Sequence, residues 1–160
     1  MKRFILSALL AATLFFSSCG QLKVFKGAEN IPGVETTYIG GTLLRMGLNS
    51  AGADYAEIGA DFGADVSTLT GLEVIETENA AAAAKLRPII DRVVKEGNYE
   101  VGVQNKDDDE ISTIYFSAPD AKNRSNMLIV NQEKNELDVV LLQGITLNGK
   151  GKKSSHRHGQ

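Results

Sequence analysis

The second half of the chain alternates apolar and polar residues with a period of two, which is typical of half-buried β-strands. The alternating segments are Tyr99–Gln104, Ile111–Ser117, Met127–Asn131 and Leu137–Leu142, the last with a continuation to Leu147 if the strand resumes after Gln143-Gly144. The connections NKDDDE, APDAKNRS and QEKNE are polar and short. The pattern therefore predicts an antiparallel meander of four strands.

A helical period precedes this meander. The run Ala80–Ala84 consists of strong helix formers, Thr77 or Asn79 can cap the N-terminus, and Gly97 marks the C-terminus. The apolar stripe comprises Leu86, Ile89, Ile90, Val93 and Val94. Pro88 lies within it and removes one backbone donor, so the sequence predicts a single bent helix.

Two further strands and one short helix are predicted before residue 78. The strands are Val34–Ile39 and Leu69–Thr77. After the break at Gly40-Gly41, Thr42 can cap a helix that carries Leu43, Leu44, Met46 and Leu48. Residues 49–65 contain Gly52, Gly59 and Gly63 and are predicted to be a loop with a weak helix.

The resulting order is β-α-β-α-β-β-β-β. We expect an α+β fold, in which a mostly antiparallel sheet of five to six strands has both helices packed on one face. The edge of that sheet is expected at Asn126–Asn131 or Leu137–Leu142. Residues 34–147 are long enough to form one domain with a hydrophobic core.

The N-terminus is typical of a secretory signal peptide. Met1-Lys2-Arg3 is positively charged, and Phe4–Phe16 is an apolar run of 13 residues. Thirteen helical residues are too short to cross a bilayer of about 30 Å. Residues 1–18 are therefore predicted to be a leader, and residues 19–33 a tether between the membrane and the domain.

Cys19 is the only cysteine of the chain and follows this leader. The stretch Phe16-Ser17-Ser18-Cys19 resembles a bacterial lipobox, in which the cysteine becomes the lipidated first residue of the mature protein. The resemblance implies a diacylglyceryl thioether and an acylated amine, such as palmitate, and two or more acyl chains anchor a protein stably. The alternative is that Cys19 merely ends a cleaved signal peptide.

The charge of the chain is unevenly distributed. Six of the 17 basic residues belong to the leader or to the tail 148–160, whereas all 20 acidic residues lie between them, where the formal charge is −9. The tail bases are Lys150, Lys152, Lys153 and Arg157. Such an acidic body disfavours nucleic acid as a partner. The tail, which also holds His156 and His158, is predicted to be disordered and solvated.

The sequence contains no motif for catalysis, a metal or a cofactor. The acids Asp54, Glu57, Asp61 and Asp65 do not match a calcium-binding loop and are interpreted as a solvated face. The run Asp107-Asp108-Asp109-Glu110 is interpreted as a soluble hairpin tip rather than as a contact for a cation or a basic partner. We therefore expect no enzyme, no metal site and no cofactor.

Several segments resemble the domain of unknown function 4252 family, small lipoproteins of the Bacteroidota. The matching segments are IPGVETTYIGGTLLRM, LTGLEVIETEN, VVKEGNYEVGVQNKDDDEISTIYF and NMLIVNQEKNELDVVLLQGIT. The resemblance implies an envelope domain of unassigned activity, anchored to the outer membrane. Gly20-Gln21-Leu22-Lys23 lacks the acidic cluster that often marks surface export in this phylum, which favours the periplasmic face.

The expected function is that of a non-catalytic accessory domain that binds another envelope protein. An exposed strand edge can supply the contact by pairing with an incoming strand. The alternatives are a small-ligand or lipid carrier, which needs an apolar pocket, and a hydrolytic enzyme, which needs carboxylates with shifted pKa values in a cleft.

Overall fold

The computed structural model describes residues 23–47 and 64–147, which form a seven-stranded sheet and two α-helices. The strands are β1 (Glu35–Gly40), β2 (Ala64–Asp65), β3 (Gly71–Thr77), β4 (Tyr99–Asp107), β5 (Glu110–Ser117), β6 (Ser125–Glu133) and β7 (Glu136–Leu147). The helices are α1 (Gly41–Gly47) and α2 (Ala80–Glu96), with 3-10 turns at Ala28–Asn30 and Val66–Thr68. The α+β class is confirmed.

The strands follow the order β1-β3-β7-β6-β5-β4, and each described pair is antiparallel. The predicted meander is confirmed as β4 to β7. Among the described strands, β1 and β4 are the edges of the sheet. The expectation of an edge at Asn126–Asn131 or Leu137–Leu142 is wrong. β7 pairs with β6 on one side and with β3 on the other, so both segments lie in the interior of the sheet.

The seventh strand, β2, was not predicted. Ala64 and Asp65 pair with Leu147 and Thr146 at the end of β7, within a region expected to be a loop. This pairing is possible because β7 continues past Gly144 to Leu147. A two-residue strand has no alternation to detect in the sequence.

The helix α2 is continuous through Pro88, which confirms a single helix. Asn79 is its N-cap, because the Asn79 Oδ1 atom accepts hydrogen bonds from the Ala81 and Ala82 amides at 2.9 and 3.1 Å. Thr77 does not cap α2, since its hydroxyl accepts from the Asn79 amide instead. The predicted stripe buries Leu86, Ile90 and Val93 against the sheet.

The two faces of the sheet carry separate hydrophobic cores. One core combines α2 with Ile75, Leu128 and Val139, and the other combines α1, through Leu44, with Val74 and Ile129. The expectation that both helices pack on one face is therefore wrong. Thr42 also lies inside α1, which begins at Gly41, and is not its cap.

The segment that precedes β1 belongs to the folded domain. Phe25 is 1% exposed and Ala28 is fully buried in the α2 core. Residues 23–33, which were expected to belong to a tether, are therefore part of the folded domain, and residues 19–22 lie outside the described ranges. A buried aromatic residue and a buried alanine are not recognisable as core within a short polar stretch.

Several predictions fall on residues outside the described ranges. These are the leader and Cys19, Leu48, the acids Asp54, Glu57 and Asp61, and the basic tail from Asn148 onward. Within the described ranges, no helix combines the length and the apolarity that a membrane crossing requires.

Candidate functional site

One end of the sheet collects half of the acidic residues of the chain. It is formed by the start of β1, the β3–α2 junction and the β4–β5 and β6–β7 hairpins. The ten carboxylates of this acidic end are Glu35, Glu76, Glu78, Asp107, Asp108, Asp109, Glu110, Glu133, Glu136 and Asp138. The same segments carry two lysines, Lys106 and Lys134, and the Lys134 Nζ atom lies 3.3 Å from Asp109 Oδ2.

A cleft of about 480 Å³ opens at this end, beside β1. Five of the ten carboxylates of the acidic end line this cleft, and no basic side chain lines it. Its lining residues are Gly33, Glu35, Glu76, Thr77, Glu78, Asn79, Glu136 and Asp138. A concave surface lined with one sign of charge concentrates the electrostatic field and attracts ions or groups of the opposite sign.

The strand register places three of these acids side by side. Glu76 on β3 lies opposite both Glu35 on β1 and Asp138 on β7. Directly opposed residues of antiparallel strands have Cβ atoms about 5 Å apart, and like charges in such pairs repel. The row continues through Asn131, whose Oδ1 atom is 2.7 Å from the Ser112 hydroxyl.

The environment of the cleft raises the pKa of two of these carboxyl groups. Burial is the main cause of the raised pKa of Glu76, and the charges of Asp138 and Glu35 add to it. Burial likewise raises the pKa of Asp138, with further contributions from Glu136, Glu78 and Glu133. Both shifts favour the protonated carboxyl, so a positively charged partner would relieve repulsion here.

The floor of the cleft is held by short hydrogen bonds. The hydroxyl of the buried Thr77 donates to the Gly33 carbonyl at 2.6 Å and accepts from the Asn79 amide at 3.2 Å. Gly33 has a φ of 86°, a conformation that costs a residue with a side chain about 1 kcal/mol or more. These bonds join the segment before β1 to the start of α2 and set the width of the cleft.

The four-acid run is the tip of the β4–β5 hairpin. Asp107 pairs with Glu110, and the two residues between them form the turn. All four side chains are exposed, in agreement with the expected soluble hairpin tip. The fold adds that this tip lies at the acidic end, beside acids from other hairpins.

A buried carboxylate lies on the α2 face of the sheet, apart from the acidic end. Glu73 is 3% exposed, and its Oε2 and Oε1 atoms accept hydrogen bonds from the Val24 and Phe25 amides at 2.9 and 3.3 Å. Burial raises the pKa of Glu73, although these two hydrogen bonds and the charge of Lys23 act in the opposite direction. Glu73 therefore fastens the N-terminal segment to the sheet.

Among the described residues, neither the acidic end nor Glu73 forms a metal-binding arrangement. Within residues 23–47 and 64–147, no three His, Cys, Asp or Glu side chains are arranged to hold a metal ion. Asp65 is one of the acids considered for a calcium loop, but it accepts a hydrogen bond from the Ser67 amide at 2.9 Å in a local turn. The Ser67 side chain, followed by this amide, lowers the pKa of Asp65.

The sequence could not reveal the acidic end, because its members come from six separate strands and one junction. Glu35, Glu76 and Asp138 lie on three strands that are far apart in the sequence. Only the register of β1, β3 and β7 brings them into one row. A weak signal was available: each of these acids lies near a strand end that adjoins another acidic turn.

Comparisons with known proteins found no match for the chain. No protein-family model, no curated protein and no solved structure matches it. The resemblance to the domain of unknown function 4252 family stays a prediction.

Proposed function

We propose that the chain is an envelope lipoprotein, anchored through Cys19, whose domain is a non-catalytic module that binds a basic segment of another protein. The observation that carries the proposal is the acidic cleft beside the edge strand β1, lined by five carboxylates and no cation. The anchor is the expectation drawn from Phe16-Ser17-Ser18-Cys19, the outer membrane that from the family resemblance, and the periplasmic face that from Gly20-Gln21-Leu22-Lys23.

The edge strand supplies a way to hold an extended partner. β1 has one neighbour among the described strands, and Glu35, Thr36 and Thr37 are exposed. A strand added to β1 would form backbone hydrogen bonds along this edge. Lysine or arginine side chains of such a strand would lie beside Glu35 and the cleft. Backbone pairing would provide affinity, and the carboxylates would select for positive charge.

The carrier alternative is less well supported. A carrier needs a largely apolar pocket of several hundred Å³. The described clefts all include charged side chains, and the one between α2 and the β4–β5 hairpin, about 210 Å³, is lined partly by Arg87 and Asp91.

The test uses a lysine-rich extended peptide and an acidic peptide of the same length as probes, with binding followed by fluorescence anisotropy. We expect the basic peptide alone to bind, and salt to weaken it. Because exposed ion pairs contribute about 0.2–1 kcal/mol each, the double variant Glu76→Gln/Asp138→Asn should weaken binding about twofold to thirtyfold. The matched variant Asp91→Asn/Glu100→Gln removes two exposed acids elsewhere and should bind normally.

Two further arms complete this experiment. A peptide methylated on its backbone amides should bind more weakly if strand pairing contributes. The mass of the mature N-terminus, measured on protein isolated from membranes, should show an acylated Cys19. Equal binding of the acidic peptide would contradict the binding site, and an unmodified Cys19 would contradict the anchor.

A hydrolytic enzyme is the second candidate, and it rests on the opposed pair Glu76 and Asp138. Glu76 and Asp138 lie directly opposite each other in the strand register, and burial raises the pKa of both. Retaining glycosidases use two neighbouring carboxyl groups, one protonated as the general acid and one ionised as the nucleophile. Release of nitrophenol from a panel of aryl glycosides would support it, provided that Glu76→Gln and Asp138→Asn each abolish the activity. No turnover by the unmodified chain would contradict it.

A further inference from the structure

A basic patch lies where the chain enters the domain. Lys23, Lys26 and Arg92 surround a shallow cleft of about 390 Å³ together with Val24 and Glu96. The three cations are exposed, and the Arg92 Nη2 atom donates to the Lys26 carbonyl at 3.1 Å. The cleft thus carries three positive charges and one negative charge, on a body whose formal charge is strongly negative.

The position of this patch is fixed by the core. Glu73 binds the Val24 and Phe25 amides, and the Phe25 side chain is buried against α2. Lys23 and Lys26, on either side of these two residues, therefore cannot move away from the helix without breaking the contacts of Glu73 and Phe25. The patch is a rigid surface of the domain.

The chain length between the patch and the expected anchor is short. Four residue steps separate Cys19 from Lys23, and consecutive Cα atoms are 3.8 Å apart, so the link spans at most about 15 Å. Electrostatic attraction in physiological salt extends over about 8 Å. A bilayer that holds lipid on Cys19 would therefore lie within or near the electrostatic range of Lys23.

The acidic end lies away from this patch. Asn79 lines the acidic cleft, and Arg92 follows it by thirteen residues along α2, which corresponds to about 20 Å at the rise of an α-helix. An anionic leaflet attracts the basic end of this axis and repels the acidic end. Charge and tether length thus favour the same orientation.

We propose that the patch of Lys23, Lys26 and Arg92 docks on anionic phospholipid headgroups and holds the acidic cleft away from the membrane. This inference rests on the proposed anchor at Cys19. In this orientation the cleft and the edge of β1 are presented to a partner, and α2 stands with its C-terminal half towards the bilayer.

The test places one dye at each end of α2 in the full lipidated chain. Cys19 is the only cysteine, and lipidation blocks its sulfur, so a thiol dye labels only Glu96→Cys or Glu78→Cys. Energy transfer to a headgroup acceptor is measured in phosphatidylcholine vesicles with and without phosphatidylglycerol. Since the two sites lie more than about 20 Å apart along the helix, we expect at least about twofold greater transfer from position 96 in the anionic vesicles.

Charge-matched variants decide the role of the patch. We expect the difference in energy transfer between positions 96 and 78 to disappear in the variant Lys23→Gln/Lys26→Gln/Arg92→Gln. It should persist in the control variant Lys106→Gln/Lys122→Gln/Lys134→Gln, which removes the same charge elsewhere. Replacing Arg92→Gln by Arg92→Lys in the first variant should restore part of the difference in energy transfer. Salt of about 0.5 M should reduce the difference, because the Debye length falls to a few Å. The tail bases are present throughout, so their effect cancels.

The outcomes separate the two proposals. Equal transfer from both positions, or a difference that survives loss of the patch, overturns the docking proposal while the anchor stands. A mature N-terminus without acyl groups, in protein that does not float with vesicles, overturns the anchor and the docking proposal that rests on it.

Discussion

Glu73 shows how one charged residue can be used inside a sheet. It lies between Leu72 and Val74, and its neighbours across the strands are Tyr38 and Leu141. Burial opposes its ionised form, but two backbone amides supply the hydrogen bonds that a buried carboxylate needs. These hydrogen bonds offset the unfavourable burial of Glu73 and hold the N-terminal segment against the sheet.

The substitution Glu73→Leu should lower the free energy of unfolding by about 2 kcal/mol, because the Val24 and Phe25 amides lose their acceptors. Glu73→Gln keeps one acceptor oxygen and should cost less. Urea unfolding measures the stability, and hydrogen exchange measures the protection of the two amides. Unchanged protection in Glu73→Leu would show that Phe25 alone holds the segment.

Glu76 should make the stability depend on pH in a defined direction. Its pKa is raised above the ordinary 4.5, so the folded chain binds more protons than the unfolded chain just above that value. Stability should therefore fall as the pH rises through this window, and Glu76→Gln should remove that part of the fall.

At neutral pH we expect Glu76→Gln to be more stable than the unmodified chain by about 0.5 kcal/mol after solvent screening, and the gain to vanish below pH of about 4. Urea unfolding at a series of pH values provides the measurement. Glu100→Gln, an exposed residue of β4, is the control and should show no such profile. A loss of stability in Glu76→Gln would mean that its carboxylate has a stabilising partner.

At the level of elements, β7 decides the topology of the sheet. It is the longest strand, and it pairs with β6, β3 and β2. At Gly144 the backbone has a φ of 76° and passes close to Thr70, and the Gly144 amide donates to Asn126 Oδ1 at 3.0 Å. This irregular position lets β7 change neighbours and continue to β2.

We expect Gly144→Ala to lower the free energy of unfolding by about 2–4 kcal/mol, from backbone strain and overpacking together. A Cβ atom at this position would lie 2.7 Å from Thr70 Oγ1 and 3.3 Å from the Thr68 carbonyl oxygen. Gly27→Ala is the matched control: its φ of 94° is also positive, but the nearest atom to a new Cβ lies 4.0 Å away. It should cost only about 1 kcal/mol. Equal costs in thermal unfolding would show that packing at Thr70 does not matter.

At the level of the whole molecule, charge is arranged along an axis. The ten acids of the acidic end lie at one end of the sheet. The patch of Lys23, Lys26 and Arg92 lies about 20 Å along α2 from the cleft. Repulsion among the acids opposes folding, whereas a basic partner would relieve it. The same arrangement that costs stability in the isolated chain thus favours binding.

Added salt should therefore stabilise the isolated domain. Raising sodium chloride from about 20 mM to about 300 mM shortens the Debye length from about 20 Å to about 6 Å and screens the repulsion among the acids, so we expect the Tm to rise by a few degrees. The variant Glu76→Gln/Asp138→Asn should start from a higher Tm and gain less. Calorimetry measures both. A Tm that falls with salt would indicate that attractive ion pairs outweigh the repulsion.

Six of the seven strands and both helices could be predicted from the sequence, because period and turn residues act over a few neighbouring positions. The alternation in β4 to β7, the apolar stripe of α2 and the breaks at Gly40-Gly41 and Gly97 are local signals, and the α+β class follows from their order. The sequence also supplied the lipobox resemblance, from which the anchor at Cys19 stays a prediction.

Long-range packing decides how β1, β2 and β3 join the meander, and hence the position of both candidate surfaces. The placement of β3 beside β7, the opposite faces of α1 and α2, the burial of Phe25 and the row of Glu35, Glu76 and Asp138 all depend on contacts between distant residues. Such contacts depend on the total apolar area that the folded chain buries, and local periodicity in the sequence does not specify them.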